Sequence, residues 1–227
     1  MPAGLKVITT IERPPRELVR EFAGIPASNI SDIMNRFFCM HQYIKAFSTC
    51  PMVGTAFTVR VPGHDNMMIH YALDLAEPGD VIVVDGGSAV NRALMGEIMF
   101  TYAKKRGLAG IIVDGGIRDV ESIPGLELPV YACGVTPQGP YKNGPGEINV
   151  PIACGGQVVS PGDILVGDRD GVVVIRREDA AELLSLAQEK LRSEEKRLTA
   201  YRRGELDLEQ HFAEYDAIVK KLGTTIS

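Results

Sequence analysis

Residues 81–119 read VIVVDGGSAVNRALMGEIMFTYAKKRGLAGIIVDGGIRD, and this stretch decides the fold. Two apolar runs, 81–85 and 111–114, each lead into a Gly-Gly pair, and a segment of helical composition from about Ala93 to Lys105 connects them. Continuous apolar runs of this length are typical of strands that are covered on both faces. The β-α-β order predicts a parallel pair with a right-handed crossover, and therefore an α/β domain.

The ends of these two strands predict a ligand site. Open α/β sheets place ligands beyond the carboxyl ends of parallel strands, and both runs end there in what we expect to be tight glycine loops. Glu97 lies near the start of the connecting helix, and Arg118-Asp119 follows the second strand. We therefore expect Glu97, Arg118 and Asp119 to converge on one cleft. A carboxylate, a guanidinium and a second carboxylate are the groups needed to hold an anionic keto acid and a divalent metal.

The rest of the chain predicts more β structure and a helical tail. We expect a strand at 52–61, a helix from about Met67 to Ala76, and several short strands between 130 and 175. Charged, amphipathic segments at 178–203 and 207–222 predict two helices. We accordingly divide the chain into a catalytic α/β core, residues 1–177, and a helical C-terminal extension, residues 178–227, that packs on the core or on a neighbouring protomer.

Composition limits the class of function. The chain has 227 residues and a formal net charge of −5, and such an acidic balance argues against a nucleic-acid partner. No apolar run approaches the roughly 20 residues that span a membrane. The N-terminus lacks a secretory pattern, and the four cysteines form no C-x-x-C pair, which favours free thiols in a reducing compartment. We expect a cytoplasmic protein.

Each candidate site residue has a structural explanation beside the functional one. Gly96 lets an anion approach the free N–H groups of a helix start, or it lets two elements pack closely. Arg118 can hold a carboxylate or keto oxygen with two N–H bonds, or form a surface ion pair. Asp119 can offer one oxygen to a metal, or cap the next helix. Glu97 can act as acid or base, or favour the helix dipole.

Several other enzyme classes lack support in the sequence. The four histidines show no metal-ligand spacing such as H-E-x-x-H, so the sequence does not indicate a zinc site. His70 is better explained as a packed or hydrogen-bonded side chain. The sequence contains no G-x-S-x-G elbow, no P-loop and no G-x-G-x-x-G after a strand. Serine hydrolases, NTPases and dinucleotide enzymes are therefore not indicated.

Several stretches, taken in chain order, resemble a known family. The first is Gly96-Glu97 followed by VDGGIRDV at 113–120. The others are PGHDN at 62–66, EPGDV at 77–81, GPGEINVP at 144–151, and the pattern from PGD at 161–163 to DRDGVV at 168–173. Over most of residues 15–200 the chain resembles the class II 4-hydroxy-4-methyl-2-oxoglutarate / 4-carboxy-4-hydroxy-2-oxoadipate aldolases, a family that shares its fold with the regulators of ribonuclease E activity.

The resemblance implies a fold and a set of roles. It implies a layered α-β-β-α core, like that of swivelling phosphohistidine domains, and assembly as a homotrimer or a dimer of trimers with sites at protomer boundaries. It implies that Arg118 binds the pyruvyl part of the substrate and that Asp119 anchors Mg²⁺ or Mn²⁺. Glu97 would orient the water that donates a proton. The substrate carboxylate would be held by the backbone amides of Gly96, Glu97, Ile98 and Met99.

The resulting expectation is a divalent-metal-dependent retro-aldol lyase. It would cleave one of the family's two 4-hydroxy-2-oxo acids to pyruvate and a second keto acid, in the degradation of aromatic compounds, and would also decarboxylate oxaloacetate. The alternative is a non-catalytic, protein-binding regulator of the ribonuclease E inhibitor type. Lys142, in a Gly/Pro-rich loop, either pairs with an extra substrate carboxylate or is simply solvated.

Overall fold

The computed structural model describes residues 4–205 and 207–224 and contains a mixed α/β fold. The helices are α1 Arg16–Arg20, α2 Ala27–Ile33, α3 Met67–Leu75, α4 Glu97–Lys105, α5 Ala180–Arg202 and α6 Leu208–Lys221, and a 3₁₀ helix spans Val120–Gly125. The strands are β1 Lys45–Ala46, β2 Met52–Arg60, β3 Asp80–Met95, β4 Gly110–Ile117, β5 Val130–Val135, β6 Glu147–Ile148, β7 Ile152–Cys154, β8 Gln157–Val159, β9 Ile164–Gly167 and β10 Val172–Ile175.

One large sheet organises the fold. Its strand order is β1-β5-β4-β3-β2-β9-β10, with β6 pairing β2 at one end, and β7 and β8 form a separate two-stranded sheet. The central pairs β2–β3, β3–β4 and β4–β5 are parallel, so the predicted parallel β3–β4 pair is confirmed. The β9–β10 hairpin turns at 168–171, where Asp168 N–H donates to Gly171 O.

The two faces of the sheet carry two apolar clusters. On one face, side chains of α3 and α4 such as Ile69 and Phe100 pack on Phe57, Ile82 and Ile111. The other face buries the alternate residues of the same strands against β7, β8, β9 and β10. Both faces of the central strands are therefore covered, which explains why their sequences are continuous apolar runs. The predicted layered α/β class with C-terminal helices is confirmed.

The glycine segments differ from the prediction. The predicted helix start at Ala93 is wrong, because β3 continues to Met95 and α4 begins at Glu97. The predicted glycine loops are also wrong, since Gly86-Gly87 and Gly115-Gly116 both lie inside strands. The register of β3 against β4 shifts at three places between Asp85 and Met95. Bulges of this kind keep extra residues within a sheet, and neither composition nor periodicity reveals them.

The glycines are required because side chains and backbone approach them closely. A Cβ at Gly86 would lie 2.5 Å from Leu94 Cδ1 and 2.8 Å from Asp114 O. A Cβ at Gly115 would lie 2.9 Å from the same Leu94 atom. Leu94 is fully buried, so these glycines make room for a core side chain between two bulged strands.

By contacts, the chain divides into two compact units, Met1–Gln188 and Glu189–Ser227. The first contains the sheet and the start of α5, where Ala180 and Ala187 are buried. The second contains the end of α5 and all of α6, and α6 has no buried residue. Where the C-terminal extension packs remains a prediction. No helix of the described residues is long and apolar enough to cross a membrane.

Candidate active site

The end of β4 and the start of α4 meet at one edge of the sheet. Met95 and Ile117, the last residues of β3 and β4, pair with each other, and Arg118 N–H donates to Met95 O at 3.0 Å. Glu97 is the first residue of α4, and Arg118-Asp119 follows β4 directly. The structure therefore brings the backbone of Glu97 beside the Arg118-Asp119 pair, as the β-α-β order predicts.

Asp119 faces α4 rather than the helix that follows it. Its backbone is left-handed, with φ of 58°, a conformation that aspartate tolerates better than most residues. Its Oδ2 accepts a hydrogen bond from Glu97 N–H at 3.2 Å and lies 3.4 Å from Arg118 Nε. The carboxylate makes no capping bond to the 3₁₀ helix. Capping by the side chain, the structural alternative for this residue, therefore does not explain Asp119.

Gly96 allows this close approach. Its backbone is extended, with φ of −156°, so the position does not need glycine for conformational reasons. A Cβ there would instead lie 2.6 Å from Asp119 Oδ2 and 2.9 Å from Arg118 Cγ. The two charged side chains occupy the space that any other residue would fill. The close-packing explanation for Gly96 thus holds, but the groups it packs against are the candidate site residues themselves.

Two of the backbone N–H groups that were predicted to hold the substrate carboxylate already donate hydrogen bonds within the protein. Glu97 N–H donates to Asp119, and Met99 N–H donates to Gly96 O at 3.0 Å. Among the hydrogen bonds of the described residues, the N–H of Ile98 has no acceptor. An anion at this helix start would therefore meet fewer free N–H groups than four consecutive amides suggest, and Arg118 would supply the main positive charge.

A cavity of about 110 Å³ lies beside this point. Four of the predicted residues are in its wall: Gly96, Ile98, Met99 and Arg118. Glu97 and Asp119 lie outside that wall, and the Glu97 side chain is exposed. Arg118 and Asp119 are each 43% exposed. A ligand that used all three charged residues would therefore extend from the cavity to its exposed rim.

Three polar side chains of the cavity lie outside the predicted set of site residues, although the sequence had offered Lys142 as a partner for an extra substrate carboxylate. Asn66 directly precedes α3, His70 lies within α3, and Lys142 lies in the loop after β5. Asn66 is buried; its Nδ2 donates to Leu94 O at 2.9 Å, whereas its Oδ1 has no partner in the described part of the chain. Burial and nearby Lys142 both lower the pKa of His70, with Asp74 opposing, so its imidazole is neutral at pH 7.

The sequence contains a weak signal for two of these three residues. Asn66 and His70 are four residues apart, so they lie on one face of α3. Lys142 gives no such signal, because a Gly/Pro-rich loop does not indicate which way its side chains point. The sequence explained His70 as a packed or hydrogen-bonded side chain and did not predict that it lines the cavity.

Asp65 anchors the loop that carries Lys142. Its carboxylate accepts hydrogen bonds from the backbone N–H groups of Asn143 at 2.6 Å, Met67 at 3.0 Å and Gly144 at 3.1 Å. Burial alone would raise the pKa of Asp65, but these N–H groups outweigh it, so the pKa lies below its ordinary value of 3.8. An ionised, buried Asp65 thus fixes the loop against the start of α3.

Arg92 fixes the same loop from β3. Its guanidinium donates to Gly139 O at 2.7 Å and to the Tyr141 hydroxyl at 3.2 Å, and it stacks 4.4 Å from the centre of the Tyr141 ring. One wall of the cavity is therefore held by two charged residues, Asp65 and Arg92, that do not themselves line it.

The donor groups fit one kind of metal site. Among residues 4–205 and 207–224, no three His, Cys, Asp or Glu side chains are grouped to hold a metal ion. Mg²⁺ commonly takes only one or two carboxylates and completes its shell with water and substrate oxygens. Oδ2 of Asp119 is engaged by Glu97 and Arg118, while Oδ1 makes no hydrogen bond or ion pair within those ranges. A single exposed carboxylate oxygen suits Mg²⁺ or Mn²⁺ in this way.

Comparison with known proteins identifies the family. The model of the RraA-like family, described as Aldolase/RraA, matches residues 27–174, which include the whole of the site described above. The chain belongs to the Aldolase/RraA family. A relative from Halalkalibacterium halodurans, named "Putative 4-hydroxy-4-methyl-2-oxoglutarate aldolase", is 38% identical over 182 residues, covering 80% of this chain and 87% of the relative.

Solved structures of similar fold include a protein described as a member of an RraA family. Streptomyces coelicolor RraAS2, described as an unusual member of the RNase ES inhibitor RraA family, aligns with a TM-score of 0.73 and 29% identity, over 82% of this chain and 98% of that protein. An uncharacterized protein from Pseudomonas syringae pv. tomato aligns with a TM-score of 0.77 over 88% of this chain and 98% of its own; at 24% identity it shows the fold alone.

Proposed function

We propose that this protein is a divalent-metal-dependent lyase that cleaves 4-hydroxy-4-methyl-2-oxoglutarate or 4-carboxy-4-hydroxy-2-oxoadipate to pyruvate and a second keto acid. The observation that carries the proposal is the pairing of Asp119 with Arg118 at the start of α4, beside a cavity that Arg118 lines. The name of the Halalkalibacterium halodurans relative supports the same reaction. Decarboxylation of oxaloacetate follows as a side activity, because that reaction passes through the same pyruvate enolate.

Arg118 binds the pyruvyl part of the substrate. A general base takes the proton of the 4-hydroxyl group, the C4–O bond becomes a carbonyl, and the C3–C4 bond breaks and leaves its electron pair on the pyruvate enolate. The guanidinium stabilises the negative charge that develops on the enolate oxygen, a role in which a fixed charge in a cavity is most effective. Asp119, 3.4 Å from Arg118 Nε, holds the guanidinium in place.

Glu97 holds the water that protonates the enolate carbon. Its side chain lies at the exposed start of α4, where it can orient a solvent molecule over the rim of the cavity. Asp119 would hold Mg²⁺ or Mn²⁺ through its free oxygen, and such an ion supplies a Lewis acid for the keto oxygen when it is bound.

The assay follows pyruvate release from both 4-hydroxy-2-oxo acids and from oxaloacetate, with Mg²⁺, with Mn²⁺ and with a chelator. Activity should require the metal. Arg118→Ala should lose about 3 kcal/mol of transition-state stabilisation, by analogy with an oxyanion donor, whereas Arg169→Ala, at an exposed turn far along the chain, should retain full activity. Near-normal turnover by Arg118→Ala would refute the assignment.

The second candidate is a regulator that binds an RNA-processing enzyme and has no chemistry of its own. It is favoured by the description of Streptomyces coelicolor RraAS2 as a member of an RNase ES inhibitor family. The same pyruvate assay separates the two functions, because a regulator releases no pyruvate from any of the three substrates under any metal.

The proposal includes an assembly and a location. We place the reaction in the cytoplasm, in a homotrimer or a dimer of trimers. Ile98, in the cavity wall, is 79% exposed in the single chain, and burial of this side chain by another copy would close the cavity. Sedimentation of the protein as a monomer at working concentration would contradict this part of the proposal.

A further inference from the structure

One side chain in the wall of the cavity can accept a proton at neutral pH. The wall carries four polar side chains, Asn66, His70, Arg118 and Lys142. The amide of Asn66 is not basic, and the guanidinium of Arg118 and the ammonium of Lys142 are donors without a lone pair to offer. Within the part of the chain that the structure describes, His70 is therefore the one base that lines the cavity.

The two carboxylates of the site have other tasks. Glu97 and Asp119 lie outside the cavity wall, and Oδ2 of Asp119 is engaged by Glu97 N–H at 3.2 Å and by Arg118 Nε at 3.4 Å. The proposed lyase assigns the remaining oxygen of Asp119 to a metal, and it assigns Glu97 to the water that protonates the enolate. The general base for the 4-hydroxyl group is left without an assignment, and His70 is a cavity group without a role.

The imidazole of His70 is placed both to receive a proton and to release it. His70 is half-buried on α3, and no hydrogen bond among residues 4–205 and 207–224 involves its ring. It borders the cavity and also a groove of about 440 Å³ between α3 and α4. Asp74, one helical turn further along α3, lines that groove and accepts a hydrogen bond from the Tyr102 hydroxyl. The ring therefore connects the cavity to a surface groove that carries a carboxylate.

The charges around His70 keep this base neutral. Burial has the largest effect and Lys142 adds to it, so that both lower the pKa of the imidazole below its ordinary value of 6.5, while Asp74 opposes them. Arg118 shares the cavity wall and Lys105 of α4 shares the groove, so the other packed elements also present positive charge. The carboxylates of a bound keto acid bring negative charge beside the ring, which favours its protonated form and strengthens the base when the substrate is present.

We propose that His70 is the general base of the lyase and takes the proton of the substrate's 4-hydroxyl group, an inference that rests on the proposed function. A lone pair of a ring nitrogen takes the proton, the C4–O bond becomes a carbonyl, and the C3–C4 bond breaks with its electron pair going to the pyruvate enolate. The water held by Glu97 gives a proton to C3. The hydroxide that remains is neutralised by the proton that the imidazolium releases on the groove side, so no net proton is gained or lost.

Two reactions of the same protein separate a base from a structural residue. Cleavage of a 4-hydroxy-2-oxo acid requires removal of the hydroxyl proton, whereas decarboxylation of oxaloacetate reaches the pyruvate enolate without that step. His70→Gln should therefore lower kcat/KM for cleavage of 4-hydroxy-4-methyl-2-oxoglutarate by at least about 100-fold and leave decarboxylation close to wild type, which also shows that the variant is folded. His41→Gln, at an exposed histidine outside the cavity wall, is the matched control and should keep both reactions.

The pH dependence gives a second readout that a structural role would not change. Because the base must be neutral to accept a proton, wild-type kcat/KM for cleavage should fall as the pH drops through the pKa of His70, which lies below 6.5. NMR titration of the His70 imidazole in the free protein, assigned by its absence from His70→Gln, should give the same pKa. Decarboxylation of oxaloacetate should lack this acidic limb.

The outcomes distinguish this inference from the proposed function. A wild-type protein that releases no pyruvate from any of the three substrates overturns the lyase reaction, and the role of His70 with it. If the wild type is a lyase and His70→Gln loses cleavage and decarboxylation equally, or keeps normal cleavage, the role of His70 alone is overturned. An acidic limb that does not coincide with the pKa measured by NMR would overturn it as well.

Discussion

Replacement of Gly96 by alanine adds one methyl group at the point where the site is assembled. The backbone at this position is extended, so alanine introduces no conformational strain. The new Cβ would lie 2.6 Å from Asp119 Oδ2, and ordinary contact begins near 3.4 Å. The carboxylate must therefore retreat by about 0.8 Å, which lengthens its 3.2 Å hydrogen bond from Glu97 N–H beyond a useful distance.

The expected loss is in catalysis rather than in stability. The same methyl group would lie 2.9 Å from Arg118 Cγ, so the guanidinium moves as well. A misplacement of about 1 Å can cost about 100-fold in rate, which corresponds to about 2.7 kcal/mol in the activation free energy. Both charged side chains are 43% exposed, so the free energy of unfolding should fall by less than about 1 kcal/mol.

The measurement is kcat/KM for pyruvate release, together with the free energy of unfolding in urea. Gly125→Ala is the matched control, because no atom lies within 4 Å of a Cβ at that position, and it should retain full activity. If Gly96→Ala keeps kcat/KM within threefold of wild type while remaining folded, then the contacts among Gly96, Arg118 and Asp119 do not position the reacting groups.

Three further predictions concern the surroundings of the site. Asp65→Asn should lower the free energy of unfolding at pH 7 by about 1–3 kcal/mol. Because the pKa of Asp65 in the folded protein lies below 3.8, the difference from wild type should persist down to about pH 3.8 and disappear as the pH falls through the folded pKa. Urea unfolding at several pH values measures this. Burial, and then the contact with Asp114, raises the pKa of the Cys133 thiol to about 12, so iodoacetamide at pH 8 should modify it at least about tenfold more slowly in the folded than in the unfolded chain, as measured by mass mapping. Lys142→Ala should raise KM for 4-carboxy-4-hydroxy-2-oxoadipate, which has the extra carboxylate, by about tenfold more than KM for 4-hydroxy-4-methyl-2-oxoglutarate; equal changes would contradict that pairing.

The sequence predicted those features that depend on local pattern. Continuous apolar runs identified β3 and β4 as a parallel pair covered on both faces. The turn at 168–171 identified the β9–β10 hairpin, and amphipathic spacing identified α5 and α6. In each case a few neighbouring residues determine the backbone, so tertiary contacts had little to override.

The sequence could not predict features that depend on distant segments. Asn66, His70 and Lys142 share one cavity because Asp65 binds the loop that follows β5 through hydrogen bonds across more than seventy residues. Nothing in the local pattern of that loop indicates the contact. The exposed position of Glu97 is similar, since a helix start predicts the backbone but not the direction of the side chain relative to a cavity.

The bulged register of β3 explains why the site exists at all. Between the pairs Asp85–Asp114 and Met95–Ile117, β3 advances ten residues while β4 advances three. The seven additional residues are absorbed within the sheet, where buried Leu94 needs glycine on both strands. A regular strand would have ended the pairing well before Met95, and α4 would not begin beside Arg118. We predicted that these glycines form loops, and that the loops bring Glu97 near Arg118. The glycines do cause this convergence, but they do so by keeping β3 and β4 paired as strands.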